Sequence, residues 1–258
     1  MTAFASKTAN NTADASEAPV LYALTDMLRY NASTKDVRFP LKEIFFDSGQ
    51  GLVRFVALDV GGWFDNLEVV VSTRLMGEPD ESNREWPVEI SPDGIKAAPE
   101  WSDPKVFGYM AMAEMPPIMV GPLGGGFAGF TDLDRHEAQG DRETSGNPKV
   151  DGFSHLSDWL GLPVFGQNGE VGTLIDILFE PKTGSLSHLV IDTGGAISAQ
   201  QMVVPYDRLL HLAKGGSHVV MNVTEKLLRE APPLEHFDML NRSWLDKLRA
   251  YYQLAPRL

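Results

Sequence analysis

Residues Val56–Gly62 read VALDVGG and residues Leu189–Gly195 read LVIDTGG, and the likeness is one point of a longer register. Asp192 follows Asp59 by 133 positions (192 minus 59). At that offset Leu41–Gly62 lies over Leu174–Gly195 without a gap. Ile44 falls on Ile177, Phe45 on Leu178, Phe46 on Phe179, Leu58 on Ile191 and Gly51 on Gly184. Upstream, ALTDML (Ala23–Leu28) matches HLSDWL (His155–Leu160) at an offset of 132, and downstream VVVSTRL answers MVVPYDRL. Two copies of one folding unit explain this better than two copies of a binding loop, because the match is carried by apolar periodicity and turn glycines.

Within each unit the pattern is that of short strands broken by turns. In the second, PVF and EVGTLIDILFE flank GQNG, whose Asn168-Gly169 pair tolerates positive φ and marks a hairpin. EPKTG is the next turn; SLSHLVID, QQMVVPY and HVVMNV follow as strands. Five or six strands at this spacing predict a mainly β chain of two small antiparallel barrels, since closure removes the edges of so small a sheet. Flanking helices are expected over LYALTDMLRY and near the C-terminus, where Phe237, Leu240, Trp244, Leu248 and Tyr251 fall on one helical face. The expected divisions are a polar tail at 1–19, a first barrel at 20–110, a Gly/Pro/Met-rich connector at 111–151 and a second barrel with its terminal helix at 152–258.

Composition narrows the function classes. A net charge of −13 and a sequence pI near 4.8 oppose binding to phosphate backbones or anionic lipid, so nucleic acid is not the expected partner. The absence of cysteine removes disulfides, thiolate nucleophiles and sulfur-ligated zinc. It also fits a reducing compartment, and with a polar N-terminus lacking an apolar core the expectation is a cytoplasmic protein. The most apolar stretch, Ala111–Phe130, contains Glu114, Pro116, Pro117 and Pro122, so no integral membrane segment is expected.

The run LPVFGQNGEVGTLIDILFEPKTGSLSHLVIDTGG, followed by MVVPYDRL, resembles the PRC-barrel family. That family includes the cytoplasmic domain of the photosynthetic reaction centre H subunit and a domain of a ribosome-maturation factor. VEISPDGIKAAPEW in the first half and NVTEKLLREAPPLE in the second resemble the endings of such units. The resemblance implies two tandem copies, clearest in the second. It implies neither a catalytic signature nor a cofactor.

The candidate chemical groups are few. Asp59 and Asp192 each end a strand before Gly-Gly, where a carboxylate suits acid–base or metal chemistry but also closes a turn with its own side chain, the expected role here. Gly124–Gly126 lacks the Lys-Ser or Lys-Thr of a phosphate loop. The histidines show no metal-ligand spacing, and no metal or cofactor is expected. Met110, Met112, Met115 and Met119 offer an adaptable apolar strip, suited to packing between the barrels or to binding a partner. With Trp244 they are the expected interaction surface.

The function expected from this reading is a non-enzymatic interaction scaffold for a protein partner, set against a membrane-bound complex from the cytoplasmic side. Self-association through the terminal helix or the methionine strip is also expected. The alternative is a small-molecule binder or enzyme with a pocket between the barrels, drawing on His155, Asp192 or His211. Ribosome-maturation-type binding fits the acidity less well.

Overall fold

The computed structural model describes residues 21–61, 67–102, 153–194, 201–234, 240 and 242–254. The tail at 1–19 and the connector at 111–151, with Met110, Met112, Met115 and Met119, lie outside them.

The first half begins with β1 (Tyr22–Ala23), a single helical turn α1 (Leu24–Met27) and β2 (Asn31–Ser33). Then come the long hairpin β3 (Arg38–Asp47) and β4 (Leu52–Asp59), β5 (Glu68–Ser72), β6 (Glu85–Pro87) and a short helix α2 (Pro92–Lys96). The second half repeats the series with β7 (Ser154–His155), α3 (Leu156–Trp159), β8 (Pro163–Gly166), β9 (Gly169–Glu180), β10 (Ser185–Asp192) and β11 (Gln201–Pro205). It continues with β12 (Leu209–Leu212), β13 (Val219–Met221), α4 (Glu225–Glu230) and β14 (Pro233–Leu234), and closes with helix α5 (Arg242–Leu254).

The register, at an offset of 132 before β3 and 133 from β3 onward, survives into strand pairing. Phe55 pairs with Ser72 and His188 with Pro205; Ala32 pairs with Trp86 and Val164 with Val219. Met76 bridges Val88 as Leu209 pairs with Met221. The caps repeat too: the Ser91 hydroxyl accepts from the Gly94 N–H at the start of α2, and the Thr224 hydroxyl from the Leu227 N–H at the start of α4.

The chain is mainly β, as expected, but two separate barrels are not shown. The described strands form one 14-stranded sheet in which β10 lies beside β4, and the larger hydrophobic cluster draws on both halves. The Leu186 N–H donates to Gly51 O and the Val53 N–H to Gly184 O, each at 2.8 Å, on either side of the Ser185–Leu52 pair. Ser185 and Leu52 are themselves equivalents in the repeat, so a local twofold axis passes between them. Each half also lends its first strand to the other: β1 pairs with β9, and β7 pairs with β3. Alternating apolar residues specify which face of a strand is buried, not which copy supplies its neighbour.

The terminal helix needs a smaller correction. Trp244, Leu245, Leu248 and Tyr252 are its buried positions, with Tyr252 rather than Tyr251 completing the stripe; Leu240 is buried ahead of the helix, and Phe237 lies outside the described residues. Trp244, at 7% exposure, is packed into the chain's own core and presents no surface to a partner.

Candidate functional site at the seam

Two carboxylates are buried where the halves meet. Asp176 on β9 is 3% exposed; its Oδ1 accepts from the Ile177 N–H at 2.8 Å and the Thr25 N–H at 3.1 Å, and its Oδ2 accepts from the Thr25 hydroxyl. Its repeat equivalent Glu43 on β3, also 3% exposed, accepts from the Ile44 N–H at 2.9 Å and the Ser157 N–H at 3.4 Å. Thr25 lies in α1 of the first half and Ser157 in α3 of the second. Each half therefore supplies the carboxylate that satisfies the opening N–H groups of the other half's helical turn. Burial pushes the Asp176 carboxyl up, against the opposing pull of its hydrogen bonds from Thr25 and Ile177. Among the described residues, the hydrogen bonds of both carboxylates go to the opening turn of the other half's helix and to their own strand. Sequence periodicity hid them, because a carboxylate inside an otherwise apolar strand reads as an outward-facing position.

Beside this seam lies a cleft of about 1060 Å³, floored by the Gly49–Gly51 turn and Ser185–His188, with Pro205–Arg208 on one side and Leu245, Arg249 and Tyr252 of α5 on the other. Tyr206 spans it, donating its hydroxyl to Ser48 O at 2.9 Å, and its ring lies over Gly51, where φ is +66°. Arg208 is buried, donates to Tyr252 O at 2.8 Å and holds its guanidinium 5.9 Å from the Tyr252 ring centre, anchoring α5. Burial, and then the Arg249 charge, depress His188 to about 4 against the smaller opposing pull of Asp207, and Ser187 Oγ lies 2.8 Å from its Nδ1. The imidazole is neutral at physiological pH and acts as a hydrogen-bonding wall.

The repeat equivalent of His188 is Phe55, fully buried in a small cluster with Phe45, Ala57 and Val70. A neutral imidazole that must stay uncharged costs stability once the unfolded chain is protonated. Its contribution is present above about pH 6.5 and is lost as pH falls toward 4. His188→Phe is therefore expected to fold and to flatten this acid limb. Urea midpoints at pH 7 and about pH 5 check it: the gap between them narrows in the variant.

The twofold counterpart of the cleft, about 230 Å³, is lined by Leu52–Arg54, Thr73, Arg74, Met76 and Lys182–Gly184. Where the larger cleft has Ser187 and Asp207, this one has Arg54 and Arg74. The two clefts share backbone geometry and differ in charge.

The other sequence candidates are not brought together. Asp59 Oδ1 accepts from the Gly61 N–H at 3.1 Å and Asp192 Oδ1 from the Gly194 N–H at 2.9 Å, the turn-closing role expected for both. His155 is buried between Phe45 and Trp101, with ring centres 4.9 and 5.8 Å away, and His211 is exposed on β12. Among the described residues no group of three His, Asp or Glu is placed to hold a metal ion. No described helix is long and apolar enough to cross a membrane.

Residues 151–228, from β7 into α4, match the model of the PRC-barrel domain. The second half carries a PRC-barrel domain. The match to the PRC-barrel model covers no part of the first half. A protein of Deinococcus radiodurans described as uncharacterized is 38% identical over 47 residues. That match spans 18% of this chain and 17% of the relative's own length.

Proposed function

We propose that the protein is a non-enzymatic scaffold in which the PRC-barrel domain and a diverged copy of it, residues 21–102, act as a fused pseudo-dimer. It holds a protein partner at the two clefts beside the twofold seam. The observation that carries this reading is the pair of related clefts with unlike linings, one with Ser187, Tyr206 and charged groups of both signs (Glu180, Asp207, Arg249), the other with only basic charged groups, Arg54, Arg74 and Lys182. Such a pair suits two different segments of a partner, while the buried carboxylates are engaged in capping. The setting proposed for the partner is a membrane-bound complex met from the cytoplasmic side.

The methionine strip is left out of this surface for a reason in the sequence. At the repeat offset Met112, Met115 and Met119 stand where Leu245, Leu248 and Tyr252 stand in α5, and those three are buried.

The test is capture with the tagged full-length protein after gentle crosslinking, comparing the parent with Ser187→Trp, which fills the larger cleft. One stoichiometric protein recovered by the parent, and recovered about tenfold less by a variant of unchanged circular dichroism, is the expected result. An unchanged catch overturns the assignment to this cleft.

A further inference from the structure

The halves exchange parts, and each exchange is answered by its twofold mate. β1 completes the second half's sheet at Phe179 and Leu178, and β7 completes the first half's at Phe45 and Phe46. Asp176 caps α1, and Glu43 caps α3. Aromatic packing crosses the same line without that symmetry: Trp86 stands 5.8 Å from Phe179, and Phe46 stands 5.2 Å from Trp159, centre to centre. Every one of these contacts is made by residues outside 103–152.

We infer that this seam is a recognition interface in its own right, through which residues 21–102 and 153–254 bind each other in trans. The partner each half fits is the complementary half, supplied by the same chain or by a second copy. The contacts are of the kind that hold an isologous dimer: paired backbone, apolar centre and reciprocal buried polar groups. A covalent connection raises the effective concentration of one half near the other but adds none of these contacts.

The experiment uses the full-length protein with a specific protease site inserted after Gly140. After cleavage the two pieces are expected to co-elute at the volume of the uncut protein, with unchanged far-UV circular dichroism, and to separate only in denaturant. Pieces that part or precipitate under native conditions overturn the inference. A second arm carries Glu43→Ala and Asp176→Ala together. The uncut double variant is expected to stay folded with a lowered Tm, and the cut one to dissociate on dilution. A cut double variant that holds together as tightly as the cut parent overturns the assignment to these contacts. Neither arm involves an outside partner, so the result stands or falls apart from the scaffold reading.

Discussion

Asp176→Ala is expected to destabilise the protein by about 3 kcal/mol, lowering Tm by roughly 6–12 °C. The carboxylate is 3% exposed and accepts from two backbone N–H groups and one hydroxyl. Truncation leaves the Thr25 and Ile177 N–H groups without their acceptor in a place water does not reach, and an unpaired buried donor costs more than a made bond returns. Asp176→Asn is the control. It keeps an acceptor at Oδ1 and lets the Thr25 hydroxyl reverse its role, so its loss is expected to be about 1 kcal/mol or less. The pH dependence separates charge from geometry. Because burial raises the Asp176 pKa in the folded protein above its ordinary 3.8, the native state binds the proton more tightly than the unfolded chain. The stability this brings is full below 3.8 and is lost as pH rises through the raised value. The parent is thus expected to lose ground relative to Asp176→Asn over that window. Urea midpoints as a function of pH measure it; parallel profiles for the two proteins contradict the account.

Gly172→Val is expected to cost about 4 kcal/mol, a fall of roughly 8–16 °C in Tm, or to prevent folding. The residue sits in β9 with φ at +152°, and a Cβ there stands 2.3 Å from Asp192 O. That carbonyl belongs to β10, whose Asp192 is paired on both sides, with Thr173 and with Gln201, so it has no room to withdraw. Valine adds a branched side chain to a backbone conformation that favours glycine. Thermal unfolding and soluble yield report the outcome, and a variant within about 1 kcal/mol of the parent refutes the clash. The first half has Phe39 at the matching position, so the requirement belongs to the second copy alone.

Much of the local structure was legible in the residues themselves. Ile44, Phe46, Ile177 and Phe179 repeat with strand periodicity, and Asn168-Gly169 closes the β8–β9 hairpin. Asp59 and Asp192 accept the turn hydrogen bonds that an Asp before Gly-Gly suggests. The clefts were not legible, because Tyr206, His188 and Arg249 meet only after β10, β11 and α5 have packed. Trp244 is expected from the sequence at an interaction surface, whereas the packing of α5 leaves it 7% exposed.

The residues alone carry the strands, turns and caps of the second half and a matching series in the first, at offsets of 132 and 133. That the two halves share one sheet and trade β1 and β7 emerges only from packing. The reason is that β3 and β9 have the same apolar spacing and each carries an acid, Glu43 or Asp176, so the residues alone do not say which of the two meets Thr25. Periodicity and composition are the same for either pairing; the choice rests on which surfaces bury one another in space.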